Sequence, residues 1–161
     1  MEDNISELVG RLAARLVQSN LKMGAAESCT GGWISKVCTD MPGSSAWFER
    51  GFVTYSNEAK MELLGVSSET LESHGAVSRA VAEEMAMGVL SSAPVQVGVA
   101  VTGIAGPDGG SDDKPVGTVW FGWAVEGRPV ESACHCFGGD RNAVRQQTVG
   151  VGLEGLIQRL G

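Results

Sequence analysis

The chain has 161 residues, 43% of them hydrophobic, and a formal net charge of -7. This suits one domain spanning 1–161 with a sizeable core and excludes a disordered chain. The acidic balance argues against broad nucleic-acid or anionic-membrane binding, though a local basic pocket for one phosphate stays compatible with it.

Ile5, Leu8, Val9, Leu12 and Leu16 fall at helical spacing, so residues 4–19 read as an amphipathic helix. Residues 22–27 read as a short strand and 31–39 as a helix. Pro42-Gly43-Ser44-Ser45 breaks the chain, and Gly51 to Tyr55 reads as a strand. Asn57 is the expected N-cap of a helix running to about Leu64, Ser67 of a short helix ending near Gly75, and Ser78 of a longer one. Val95 to Val101 is an apolar run that suits a buried central strand. Thr118–Val125 and Pro129–Phe137 read as paired strands turned by Glu126-Gly127-Arg128. Residues 140–160 read as a last helix, which carries Gly150, Gly152 and Gly155. Each costs about 1 kcal/mol of helix propensity against Ala. Close packing at a subunit contact of a homo-oligomer would explain them; a poor helix would too. The pattern implies an α/β sandwich of three layers, with a mixed sheet and helices on both faces.

The first residues, Met1-Glu2-Asp3-Asn4, are acidic where a signal peptide is basic, and no apolar run reaches the roughly 20 residues that span a bilayer. The expected location is the cytoplasm. There the four cysteines, Cys29, Cys38, Cys134 and Cys136, stay reduced, with burial the expected state of the thiols. Cys134-His135-Cys136 has no second cysteine pair to complete a zinc site, so no metal is expected.

The chemistry concentrates at Gly24-Ala25-Ala26-Glu27-Ser28-Cys29-Thr30-Gly31-Gly32, where an apolar strand meets a helix. Such a corner can hold a nucleophile beside free N–H groups, which suit an oxyanion or a phosphate. Ser28 is either a helix cap or, if a base reaches it, a nucleophile. His74 and His135 lack the setting of a triad base. Lys60 is the better base, since a Ser–Lys pair can replace the histidine triad if the amine is neutral. A place in the first turn of a helix, with partial burial, favours that neutral form. Tyr55 would relay a proton or orient the lysine; the plainer reading makes Lys60 a surface residue and Tyr55 a core one. Cys29 is a rival nucleophile, because a thiol at a helix start can be acidified. Thr30, Gly31 and Gly32 offer N–H groups. A second glycine-rich loop, with Thr102, Gly103, Gly106, Gly109 and Gly110, gives similar nest-forming freedom. Arg141 and Arg145 share a helix face and would hold a phosphate, or simply meet solvent.

AESCTGG (26–32), GSSAWFERGFVTYSNEAK (43–60), HGAVS (74–78), TGIAGPDGG (102–110), KPVGTVW (114–120) and GDR (139–141) together resemble the CinA C-terminal domain family, in particular its stand-alone bacterial nicotinamide mononucleotide amidohydrolases. The resemblance runs over about residues 5–160. It implies an α/β/α sandwich that needs no cofactor and hydrolyses the carboxamide of nicotinamide mononucleotide to nicotinate mononucleotide and ammonia, in pyridine-nucleotide salvage. It places the family's serine on Ser28, its tyrosine on Tyr55, its lysine on Lys60, its substrate loop on Thr102 to Gly110 and its basic contacts on Arg141 and Arg145. The residue after the serine varies in the family, which leaves Cys29 in the background. Longer relatives carry an N-terminal domain whose functions are not carried over. The rival expectation is a nucleotide-binding or regulatory module without catalysis, which needs the loops and arginines but no Ser–Lys pair.

Overall fold

A computed structural model describes residues 2–161. The elements in chain order are α1 (Glu2–Gln18), β1 (Met23–Glu27), α2 (Trp33–Thr39), β2 (Phe48–Val53), α3 (Asn57–Leu64), α4 (Ser68–His74), α5 (Arg79–Ser92), β3 (Val97–Gly103), β4 (Thr118–Val125), β5 (Glu131–Cys136) and α6 (Arg141–Leu160). The strands form one mixed sheet in the order β2-β1-β3-β4-β5. β1 runs parallel to β2 and β3, whereas β4 and β5 join antiparallel.

Alternation along the strands sends side chains to two different layers. Ala25, Val99, Val101, Phe121 and Trp123 meet α1, α2 and α6 on one face. Ala26, Ala100 and Ala124 meet α3 and α5 on the other. No helix is long and apolar enough among the described residues to cross a membrane.

Small residues set the spacing of the second layer. Gly24 pairs with Gly98, and Ala26 with Ala100, which in turn faces Gly122. These rows make a shallow trough in which α5 lies close. A Cβ on Gly98 would sit 3.0 Å from the Cβ of Val89, and one on Gly122 would run into the Ala82 carbonyl. On the other face, Gly155 lets α6 approach the sheet: it leaves room for the Trp123 ring, whose Nε1–H donates to the Gly152 carbonyl at 3.0 Å. Packing within the chain thus explains Gly155, whereas a Cβ on Gly152 would make only ordinary contacts, the nearest at 3.6 Å. A Cβ on Gly150 would meet nothing within 4 Å.

Three local expectations are corrected. β2 spans Phe48–Val53 rather than 51–55, because its register is set by pairing with β1 from Met23↔Phe48 onward, and Tyr55 lies beyond the sheet. The cap of α3 is Ser56, whose hydroxyl accepts from the Ala59 N–H at 3.1 Å; Asn57 is already helical. Cys29 and Cys38 are buried, but Cys134 and Cys136 are exposed, since β5 is an edge strand.

The two kinds of glycine predict opposite responses to alanine. Gly122→Ala should destabilise the protein by about 1–3 kcal/mol in urea denaturation, because the new methyl meets backbone that cannot yield. Gly150→Ala should stabilise it by about 0.5–1 kcal/mol through helix propensity alone. Destabilisation by Gly150→Ala would mean that a neighbour outside the chain packs there.

Candidate active site

The carboxyl ends of β2, β1 and β3 lie side by side, the usual place for a ligand in an open α/β sheet. Past these ends the backbone stays tied together. The Ser28 N–H donates to the Val101 carbonyl at 3.1 Å, and the Thr54 N–H donates to the Glu27 carbonyl at 2.8 Å. Ser28 therefore leaves β1 in a fixed direction, on the side of the sheet where α3 packs.

α3 delivers the partner. This short helix is fixed at both ends, by the Ser56 cap and by Gly65, which takes a left-handed conformation and donates to the carbonyls of Lys60 and Met61. Lys60 stands in its first turn and is 1% exposed. Its Nζ lies 2.9 Å from Ser28 Oγ, 2.9 Å from the Thr54 carbonyl and 3.4 Å from the Tyr55 carbonyl. It forms no ion pair with a carboxylate among the described residues. Burial holds its pKa below the usual lysine value. The geometry satisfies both charge states. A neutral amine gives its two N–H bonds to the carbonyls and accepts the Ser28 proton; an ammonium donates to all three oxygens.

Ser28, Lys60, Tyr55, Thr102, Gly103 and Arg141 line one cavity of about 250 Å³. Tyr55 is 63% exposed at its mouth, not in the core. Its hydroxyl accepts from Arg141 Nη2 at 3.4 Å, so the phenol sits beside Arg141 while only the backbone of Tyr55 reaches Lys60. Thr102 donates to the Ala76 carbonyl at 2.9 Å, which ties β3 to the turn before α5. Gly103 has no room for a side chain, since a Cβ would sit 2.6 Å from Val119.

The other expected ligands lie outside the cavity lining. Gly106 and Gly110 fold the loop back on itself, where a Cβ would strike Val116, and Gly109 holds a positive φ of 97°. Gly106 contributes indirectly, its carbonyl accepting from Arg141 Nη1 at 2.8 Å. The Thr30 side chain is fully buried and donates to Glu27, and the Gly31 N–H already donates to the Ser28 carbonyl. Gly32 caps α2 with a φ of 107°. Arg145 turns away from the cavity, its guanidinium donating to the carbonyls of Cys29 and Thr30. Neither His74 nor His135 lines the cavity.

The rival nucleophile, Cys29, borders the same cavity, but its side chain packs in the other layer. Cys29 points into the core beneath α6, and burial pushes its thiol up to about 12. A thiol with that pKa is inert at neutral pH.

Glu27 is the residue that sequence reasoning misses, because there it reads only as the last residue of a strand. It is 0% exposed. One carboxylate oxygen accepts from the Thr30 hydroxyl at 2.6 Å and the Ile34 N–H at 2.7 Å; the other accepts from the Ser35 N–H at 2.9 Å and its hydroxyl at 2.7 Å. Gly32 has no side chain to cap α2, so Glu27 does so from the sheet. The signal available in sequence is an acid just before a glycine-capped helix.

Comparison with known proteins agrees with this architecture. The family model described as "CinA C-terminal domain" matches residues 5–160. The chain is 54% identical over 156 residues to a protein of Escherichia coli K12 named nicotinamide-nucleotide amidohydrolase PncC, covering 96% of this chain and 92% of that one. It is 50% identical to a protein of the same name from Pseudomonas putida, covering 97% of each. Among solved structures, competence/damage inducible protein CihA from Agrobacterium tumefaciens superposes with a TM-score of 0.94 at 45% identity, covering 96% of this chain and 94% of that one. The chain belongs to the CinA C-terminal domain family.

Proposed function

We propose that this protein hydrolyses the carboxamide of nicotinamide mononucleotide to nicotinate mononucleotide and ammonia, acting in the cytoplasm in pyridine-nucleotide salvage. The names of its near full-length relatives support the substrate. The observation that carries the chemistry is the 2.9 Å contact between Ser28 Oγ and a buried lysine amine that has no carboxylate partner among the described residues. A module that only binds a nucleotide has no use for that pair. Burying an amine is costly, and here the amine is aimed at a hydroxyl.

In this reading, neutral Lys60 accepts the Ser28 proton as Oγ attacks the carboxamide carbon. The resulting ammonium keeps three acceptors around it. Backbone N–H groups of the corner stabilise the oxyanion, an effect worth about 3–4 kcal/mol per donor in other enzymes. Lys60 then gives its proton to the leaving nitrogen, and ammonia departs from a Ser28 acyl-enzyme. Water attacks the ester, Lys60 takes its proton and returns it to Ser28 Oγ as the acyl–oxygen bond breaks, and the acid product leaves as its carboxylate, releasing a proton to solvent. Arg141 and the Tyr55 hydroxyl, at the cavity mouth, face the ribose and phosphate.

Ammonia release from nicotinamide mononucleotide tests this directly. Ser28→Ala should abolish it in a folded protein, while Cys29→Ala should retain it; the reverse pattern would make the thiol the nucleophile. Lys60→Met should lower kcat by at least about 1000-fold with little change in KM.

The lowered Lys60 pKa fixes the sign of the pH dependence. The amine is the active form, so kcat/KM should fall as pH drops through a value below the ordinary lysine range of about 10.4, with a plateau above it. A profile that rises only at about 10.4 would show an unperturbed lysine and count against Lys60 as the base.

A further inference from the structure

The cavity beside Ser28 holds one polar side chain that the proposed hydrolysis does not use. Of its hydroxyl, amide and cationic groups, those of Ser28, Lys60, Tyr55, Thr102 and Arg141 all have partners within the chain. Asn57 lines the same cavity and is exposed, and its amide meets no hydrogen-bond partner among the described residues. Nor does it serve the helix, because Ser56 is the cap of α3.

Its place in α3 puts it beside the amine. Asn57 and Lys60 are three residues apart in one helix, so they share a face, with Cβ atoms about 5–6 Å apart. Helix side chains lean toward the N-terminus. Lys60 does so here, since Nζ reaches the carbonyls of Thr54 and Tyr55, which precede the helix. The amine therefore lies at the level of Asn57, with Ser28 facing it from the end of β1.

In the proposed hydrolysis Lys60 gives its proton to the leaving nitrogen, so that nitrogen stands within hydrogen-bond reach of Nζ. A primary carboxamide also brings two N–H donors of its own. The Thr54 and Tyr55 carbonyls already receive the Lys60 amine. Asn57 has the one side-chain carbonyl in the cavity lining, and an amide without a fixed partner can turn Oδ1 inward.

We infer that Asn57 is a specificity-determining residue whose Oδ1 accepts an N–H of the substrate carboxamide, so that the site selects a primary amide over the matching ester. The inference rests on the proposed amide hydrolysis and names the group that the site reads. Holding one N–H fixes the plane of the carboxamide and presents its nitrogen to Lys60. An ester offers no N–H there and gains nothing from Oδ1.

The test measures binding in a Ser28→Ala background, which blocks turnover, with nicotinamide mononucleotide and the methyl ester of nicotinate mononucleotide as the two ligands. Adding Asn57→Ala should weaken the amide about 5- to 10-fold and the ester less than about twofold. Asn57→Asp, which keeps an acceptor and loses the donor, should hold the amide within about threefold of Asn57. Equal weakening of both ligands, or no weakening of the amide, would overturn the inference. So would an Asn57→Asp variant as poor as Asn57→Ala, which would make the Asn57 N–H the working group. Failure of the Ser28→Ala protein to bind the amide at all would also sink it. If the selective weakening holds but the protein with Ser28 intact releases no ammonia, the amidase reading fails by itself and the Asn57 contact stands.

Discussion

A buried amine with no counter-charge among the described residues is the constraint around which the rest of this site is arranged. Lys60 can stay uncharged only if water is kept out and no carboxylate approaches. It is useful only if its lone pair meets a hydroxyl. The two backbone carbonyls at the end of β2 meet the first need without adding a charge, because they give the N–H bonds neutral acceptors. The end of β1 meets the second. Both strand ends are placed by one parallel ladder, whose last hydrogen bonds run beyond the strands into Ser28 and Thr54. A slip of one residue in β1 would send Ser28 to the α6 face and Cys29 to Lys60.

The narrow second layer serves the same end. Rows of glycine and alanine across β1, β3 and β4 let α5 settle close to the sheet, and α3 packs against α5 through Leu64. A Cβ on Gly88 would collide with the Leu64 carbonyl, so these two helices also meet backbone to backbone. The distance from Lys60 to Ser28 is thus set by close contacts between backbones rather than by flexible side chains. Interiors packed in this way do not deform continuously. This keeps a hydrogen bond between two elements far apart in sequence at a length suited to proton transfer.

Much of this was legible in the sequence, for identifiable reasons. Helical spacing of apolar residues marked α1, α5 and α6, and the Val-rich run marked β3. Glycines beside hydroxyls marked the corner, and Ser28, Lys60 and Arg141 do meet at one cavity. What failed depended on pairing or crossing geometry. The limits of β2 follow from its ladder with β1, not from local composition. Cys134 and Cys136 are exposed because β5 is an edge strand, which only the sheet order reveals. Arg145 shares a helix face with Arg141, so spacing alone gives both one role. Yet four residues are about 6 Å of helix. α6 crosses the corner within that distance, so the first arginine faces the cavity and the second faces the back of the Ser28 corner.

The choice between Ser28 and Cys29 shows how far architecture outranks intrinsic reactivity. In water a thiol loses its proton far more readily than an alcohol and is the better nucleophile. Here the two side chains leave adjacent backbone positions toward opposite layers. Cys29 enters an apolar layer where burial pushes its pKa to about 12, and the nearby Glu27 carboxylate adds to the rise. Ser28 faces Lys60, the amine whose pKa burial lowers and which the proposed mechanism uses as its base. In the proposed mechanism its low acidity has a use: an alcohol that ionises only against a positioned amine stays protonated, and therefore quiet, until a carbonyl is near enough to receive the charge. A thiolate in the same place would be exposed to oxidants and stray electrophiles whenever the cavity was empty.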